Sequence, residues 1–159
     1  MVVVDPQTWV AGHDPLIVVP LRDPVVEAVG HDPRSGYVES FWLPILGPSA
    51  VMAARHLSAQ LEDSPEAVTV SLAELARQLG LGAGTGRNAP LIKSLARLTV
   101  FGLARSEGDV YALRLAFPPL ARRHLRRLAP QLVEAHRLLT DEAPPRAGEV
   151  AAVANATRG

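Results

Sequence analysis

Guanidinium groups are the side chains with the clearest chemical potential in this sequence, and they are unevenly distributed. Residues 71–128 hold ten basic and three acidic side chains, a net charge of +7, whereas residues 1–70 hold three basic and nine acidic ones. The whole chain of 159 residues is nevertheless neutral, with 16 charges of each sign. Clustered positive charge attracts phosphate, so this distribution favours nucleic-acid binding by residues 71–128.

Side chains suited to contacting bases and phosphates lie within the same segment. Arginine matches the edge of guanine and asparagine that of adenine, whereas lysine serves either a base or a phosphate. We predict that the DNA-contacting residues are Arg87, Asn88, Lys93, Ser94, Arg97, Arg105, Arg122, Arg123 and Arg126. The four arginines at 122–127 form two rows of like charge at i,i+4 spacing, which an anion would stabilise. That anion is either the DNA backbone or an acidic protein surface, and the sequence leaves both open.

Other kinds of site find little support in the sequence. The five histidines are scattered, and none has the spacing of a metalloprotease motif or a catalytic triad. Gly-His-Asp-Pro occurs at residues 12–15 and 30–33, but this spacing matches no compact metal site and indicates turns. The absence of cysteine excludes disulfides and thiolate ligands. We therefore expect no catalytic residue, no metal and no cofactor.

Two predicted helices must position the basic segment. A capping box at residues 71–74 opens the first helix, which ends at Gly80. The glycine-rich turn at residues 81–87 indicates a flexible connection, although with the arginine that ends it the turn could also offer backbone N–H groups to a phosphate. The second helix follows Asn88 as a plausible cap and has Pro90 as its first helical residue.

A helical-wheel count orients the second helix. Leu91, Leu95 and Leu98 fall within one narrow sector, so they must face the core. The opposite side carries Lys93, Ala96, Arg97 and Val100. The outward basic residues are therefore expected to face a ligand.

A hairpin and several flanking elements complete the pattern. Strands are predicted at residues 103–106 and 110–117, joined by Glu107-Gly108-Asp109. A helix at 48–61 and a short strand at 67–70, able to pair with the hairpin, come before them. Helices over 118–128 and 132–139 follow the hairpin. The last of these has an apolar stripe suited to dimerisation or to packing within the chain.

Residues 1–35 contain four Asp-Pro pairs. Because proline disfavours helix in the residue before it, we expect an extended arm with turns. Several apolar clusters in and after this arm should not remain solvated, so residues 15–45 are predicted to pack on the domain or to cross to a partner subunit. From residue 141 onward no packing period is visible, which predicts a disordered tail.

The order helix, strand, helix, helix, hairpin over residues 48–117 resembles the winged helix-turn-helix superfamily. The resemblance is carried by Ser71-Leu72-Ala73-Glu74-Leu75-Ala76, by residues 90–98, by Phe101-Gly102-Leu103-Ala104 and by the hairpin after them. It implies that the helix from Ala89 is a recognition helix that enters the major groove, and that the hairpin belongs to a wing of two or three strands. The same fold also serves as a protein-protein adaptor.

We therefore predict an α+β, mainly helical chain in three parts. These are an extended arm at 1–35, a winged helix-turn-helix domain with C-terminal helices at 36–140, and a disordered tail at 141–159. No segment has the roughly 18 apolar residues of a membrane span, and no secretory signal is evident, so we expect a cytoplasmic, nucleoid-associated protein. The expected function is sequence-specific binding of double-stranded DNA by a homodimeric transcriptional regulator. The alternative is an interaction module that docks an acidic protein surface.

Overall fold

The computed structural model of this α+β chain describes residues 4–141. Its helices in chain order are α1 (Pro6–Ala11), α2 (Pro24–Val29), α3 (Leu43–Leu46), α4 (Pro48–Asp63), α5 (Leu72–Gln78), α6 (Pro90–Val100), α7 (Arg122–Leu125) and α8 (Pro130–Asp141), with a π-helical turn at Val38–Trp42. Its strands are β1 (Leu16–Leu21), β2 (Val68–Val70), β3 (Ala104–Glu107) and β4 (Val110–Arg114). The tail expected at 141–159 lies outside the described residues, apart from Asp141 at the end of α8.

Strand β1 lies inside a four-stranded mixed sheet with the order β2-β1-β4-β3. It pairs antiparallel with β2 through Leu16 and Val70, and parallel with β4 through Val18 and Tyr111. The sequence predicted that a strand at 67–70 could pair with the hairpin, but β1 separates the two. β1 takes this place because it is longer than β2 and its inward residues Leu16 and Val18 are fully buried. The hairpin itself is present as β3 and β4.

Residues 4–35 do not form the mostly extended arm that the Asp-Pro pairs predicted, because they contain α1 and α2 as well as β1. Asp5 and Asp23 are the N-caps of α1 and α2, and the proline after each is the first residue of the helix. The Asp5 carboxylate accepts a hydrogen bond from the Thr8 N–H at 3.0 Å, and the Asp23 carboxylate accepts one from Val25 at 3.2 Å. A residue before proline avoids helical geometry, but an N-cap is itself extended. An Asp-Pro pair is therefore compatible with a helix start.

The prediction that residues 15–45 pack on the rest of the chain is confirmed for most of the segment, whereas Val25 of α2 is 76 % exposed. Trp42 is 1 % exposed, and its indole Nε1 donates a hydrogen bond to the Pro118 carbonyl oxygen at 2.9 Å. The Tyr37 hydroxyl accepts a hydrogen bond from the Leu120 N–H at 2.9 Å. Burial of one large apolar side chain contributes about 1.5–3 kcal/mol, so this segment is an integral part of the core.

The position of α6 is fixed from several sides. Leu57 of α4 and Leu95 of α6 are fully buried in one apolar cluster with Tyr111 of β4. The Tyr111 hydroxyl donates a hydrogen bond to the Leu95 carbonyl oxygen at 2.7 Å. Helix α5 begins after Ser71, whose hydroxyl accepts the Glu74 N–H at 3.2 Å, as one half of the capping box predicted. The Glu74 carboxylate forms an ion pair with Arg77 on the same helix. The outward face of α6 is therefore held in a defined orientation.

The segment after the hairpin is less helical than predicted. A helix was expected over residues 118–128, but the helix there is the single turn α7. The Pro118 carbonyl and the Leu120 N–H form hydrogen bonds with Trp42 and Tyr37, which hold both residues outside a helix. These long-range hydrogen bonds explain why residues 118–121 do not form the helix that their sequence pattern predicted.

Helix α8 packs its apolar stripe within the chain. His136 is 7 % exposed, and its Nε2 lies 2.8 Å from the Tyr37 hydroxyl. Its ring meets that of Phe41 edge-on, with 4.9 Å between the centroids. Leu132 and Leu139 are partly buried against the same core. Most of the stripe that suggested dimerisation is therefore already covered.

Candidate nucleic-acid interface

The buried face of helix α6 is wider than the helical wheel predicted from Leu91, Leu95 and Leu98. Ser94 and Ala96 are 7 % and 3 % exposed, because α4 and α1 both pack against this helix. The Ser94 hydroxyl donates a hydrogen bond to the Pro90 carbonyl oxygen at 2.9 Å. The prediction of Ala96 on the outward side is therefore wrong, and Ser94, predicted to contact DNA, is buried away from that side. Lys93 and Arg97 are exposed, as the helical wheel indicated.

Two guanidinium groups meet on one aromatic ring at the end of α6. The Arg97 and Arg127 guanidinium carbons lie 5.4 and 5.5 Å from the centroid of the Phe101 ring, within the range of a cation–π interaction. Arg97 Nη2 also donates a hydrogen bond to the Ile45 carbonyl oxygen at 2.8 Å. These contacts orient Arg97 and Arg127 without neutralising their charge.

The same region forms a cleft of about 440 Å³ between the end of α6 and α7. Its lining residues are Val100, Phe101, Gly102, Arg123, His124 and Arg127. We call it the α6–α7 cleft. Its two basic lining residues make it a surface suited to anions.

Pairing with carboxylates divides the cations of residues 71–128 into two groups. Four are in ion pairs, namely Arg77 with Glu74, Arg87 with Asp5, Arg105 with Glu107 and Arg114 with Asp23. Six have no carboxylate partner among residues 4–141, namely Lys93, Arg97, Arg122, Arg123, Arg126 and Arg127. We call these six the basic cluster. All of them belong to α6, to α7 or to the turn directly after α7.

His124 connects the α6–α7 cleft to the core. It is 7 % exposed, and its ring centroid is 5.1 Å from that of Trp42 and 5.8 Å from that of Phe101. Burial lowers the pKa of His124, and the charges of Arg123 and Arg127 lower it further. The imidazole is therefore neutral at pH 7, and the positive charge of the cleft comes from arginine.

Arg87 and Asn88 lie at the other end of α6 and are in contact with α1. Arg87 Nη2 is 3.2 Å from Asp5 Oδ1, and its Nε donates a hydrogen bond to the Thr8 hydroxyl at 3.0 Å. Asn88 is not the N-cap that the sequence suggested, because Ala89 occupies that position. The Asn88 amide oxygen is instead 3.5 Å from the amide nitrogen of Gln7. Both residues are exposed, and both already have a partner in α1 or at its N-cap.

The hairpin adds little positive charge to this surface. Arg105, predicted to contact DNA, forms an ion pair with Glu107 on the same strand. At the tip, the Asp109 side chain is 93 % exposed and lies 3.9 Å from the imidazole of His13. The hairpin tip is therefore acidic, and Arg105 does not belong to the basic cluster.

The aspartates of the two Gly-His-Asp-Pro motifs have structural roles, one in a long-range contact and one in a local turn. Asp14 accepts a hydrogen bond from the Leu72 N–H at 3.1 Å at the start of α5, and Asp32 accepts one from the Arg34 N–H at 2.7 Å in a turn. Within residues 4–141, no group of three or more acidic or histidine side chains is placed to hold a metal ion. In that same part of the chain, no helix has the length and hydropathy to span a bilayer.

Comparison with known proteins adds no further guide to this surface. No family model, curated protein or solved structure matches the chain. Function is therefore inferred from the charges and contacts of residues 4–141.

Proposed function

We propose that this chain is a sequence-specific DNA-binding protein that acts as a transcriptional regulator. The observation that carries the proposal is the basic cluster, six cations on neighbouring elements with no carboxylate partner among residues 4–141. Like charges that are not neutralised within the chain repel one another unless an external anion approaches. The DNA backbone supplies such anions at regular spacing, and release of its counterions drives association.

The order of elements supports this assignment. Helix α4, strand β2, helices α5 and α6 and the β3–β4 hairpin follow one another as in a winged helix-turn-helix, with α6 in the place of the recognition helix. We therefore propose that the fold is a variant of the winged helix-turn-helix in which β1 lies between β2 and the hairpin in the sheet. Lys93 and Arg97, on the outward face of α6, are the proposed contacts to base edges.

The remaining cations have a different proposed role. Arg122, Arg123, Arg126 and Arg127 come from α7 and the turn after it, so we assign them to phosphates beside the groove that α6 enters. We also propose that the protein acts as a homodimer within the nucleoid. Because most of the α8 stripe is buried within the chain, the dimer would need another surface, such as the exposed Val25 and Val29 of α2.

Fluorescence anisotropy with a labelled duplex, at several salt concentrations, tests the proposal. Arg123→Ala combined with Arg127→Ala removes two cations of the cluster, and Arg77→Ala combined with Arg105→Ala is the control, since these two arginines are neutralised in the chain. The slope of log affinity against log salt should become shallower by about 1.8 in the first variant and change little in the second. Selection from genomic fragments would then identify a specific site. Absence of any complex at low salt would refute DNA binding.

A second candidate function is an adaptor that docks an acidic protein surface. It is favoured by the acidic hairpin tip, where the Asp109 carboxylate is 93 % exposed and would repel a DNA backbone. A pull-down from lysate, with and without nuclease, separates the two functions. Partners that persist after nuclease and are lost in the Arg123→Ala and Arg127→Ala variant would support the adaptor.

A further inference from the structure

The start of α6 already holds a set of polar contacts from α1. Arg87 is held by Asp5 at 3.2 Å and by the Thr8 hydroxyl at 3.0 Å. The Gln7 amide nitrogen donates a hydrogen bond to the Arg87 carbonyl oxygen at 2.9 Å and lies 3.5 Å from the Asn88 amide oxygen. We propose that α1 is an internal competitor for DNA, whose Asp5 and Gln7 occupy the groups of Arg87 and Asn88 that a phosphate and a base edge would otherwise engage. This inference rests on the proposed DNA-binding function.

The chemistry of the two sets of partners is alike. A carboxylate and a phosphate both accept hydrogen bonds from a guanidinium group, so Asp5 and the DNA backbone compete for the same Arg87 donors. The amide nitrogen of Gln7 faces the Asn88 oxygen as the N6 amino group of adenine does in a specific complex. Both contacts of α1 therefore use the donors and acceptors that make an arginine and an asparagine useful for reading DNA.

The competing contacts lie at the surface, where DNA can exchange with them. The side chains of Asp5 and Arg87 are 46 % and 51 % exposed. The pKa of Asp5 is lowered, chiefly by hydrogen bonds from the Thr8 N–H and hydroxyl and then by Arg87, so the carboxylate is charged at neutral pH. Val10 is 1 % exposed and anchors α1 to the core, so the polar contacts can open and re-form while the helix stays in place.

The variant Asp5→Asn combined with Gln7→Ala tests the competition. Asparagine caps a helix as well as aspartate does, so α1 should keep its start while losing the charge that holds Arg87. Glu66→Gln is the control for removing one negative charge, since Glu66 is exposed and forms no ion pair among residues 4–141. Thermal melting of each variant verifies that it is folded before its DNA binding is measured.

We expect the double variant to bind duplex DNA about five- to tenfold more tightly than the wild-type chain. The slope of log affinity against log salt should steepen by about one, because Arg87 then releases a counterion of its own. Adding Arg87→Ala to the double variant should abolish both gains. A double variant that binds no more tightly than Glu66→Gln overturns the competition alone, whereas failure of every chain to bind DNA overturns the proposed function with it.

Discussion

The two ends of α6 carry similar residues in different surroundings. At the start, Arg87 is in an ion pair with Asp5, and the amide oxygen of the exposed Asn88 lies 3.5 Å from the amide nitrogen of Gln7 in α1. At the end, Arg97 and Arg127 lie over the ring of Phe101, and neither has a carboxylate partner among residues 4–141. A count of basic residues treats these sites as equal. The contacts show that positive charge is available to a ligand mainly at the end of the helix.

Substitution of one arginine at each end is the most severe test of this comparison. Arg97→Ala should weaken DNA binding by about 1–3 kcal/mol if the side chain contacts a base. Arg87→Ala should have a much smaller effect in the wild-type chain, because Asp5 already neutralises that arginine. Anisotropy titrations with one duplex under identical salt give both values. Equal losses for the two variants would contradict the division between the ends.

Two valines, one in α1 beside the start of α6 and one at the end of α6, compare how much each region contributes to the free energy of unfolding. Val10 of α1 is 1 % exposed, whereas Val100 at the end of α6 is 68 % exposed. Val10→Ala should lower the free energy of unfolding by about 2 kcal/mol, since it removes two buried methyl groups and leaves a cavity. Val100→Ala should change it by less than about 0.5 kcal/mol. Urea denaturation of both variants measures the difference, and a similar loss in both would mean that the end of α6 is covered.

As the pH falls, the stabilising contribution of His124 in the α6–α7 cleft should be lost at a higher pH than that of the Asp5 contacts at the start of α6. The folded-state pKa of His124 lies below its ordinary value of 6.5, so the unfolded chain binds more protons below that pH. The contribution of His124 to the free energy of unfolding should therefore be fully present above about pH 6.5. Below that pH the free energy of unfolding should fall by up to about 1.4 kcal/mol per pH unit. Asp5 has a pKa below 3.8, so its stabilising contacts persist through this window and are lost only at lower pH.

Urea denaturation at pH 7.5, 6.5 and 5.5 measures this dependence. The half-buried His31 and the buried His136 also have lowered pKa values, so they add to the slope of stability against pH in the wild-type chain. The slope of the free energy of unfolding against pH reports how many more protons the unfolded chain binds than the folded one. His124→Gln should reduce this difference by up to one proton and leave the part that comes from His31 and His136. An unchanged slope in that variant would show that His124 is protonated in the folded state at pH 5.5.

Much of the fold around α6 could be predicted from the sequence, because it depends on local patterns. The capping box at Ser71 and the proline at the start of α6 each specify a helix start within a few residues. The alternating strands beside Gly108 specify the hairpin in the same way. Outward placement of Lys93 and Arg97 follows from helical periodicity alone.

The contacts that distinguish the two ends of α6 could not be predicted, because they join distant residues. Gln7 is 80 residues from Arg87, and Arg97 is 52 residues from Ile45. The insertion of β1 between β2 and β4 likewise depends on which apolar strand buries more surface, which no local pattern specifies. The Asp-Pro pairs at residues 5–6 and 23–24 do carry a local signal for these helices, since such a pair is compatible with a helix start as well as with an extended segment.

NMR mapping of a DNA complex tests most directly whether the ligand surface is the end of α6. A ¹⁵N-labelled chain would be titrated with a short duplex at low salt, and the shifts of backbone and arginine side-chain N–H signals recorded. We predict the largest changes at residues 97–102 and 122–127, around the α6–α7 cleft and the arginines of α7. Changes confined to other surfaces, such as the hairpin tip or α2, with those residues unaffected, would contradict the account.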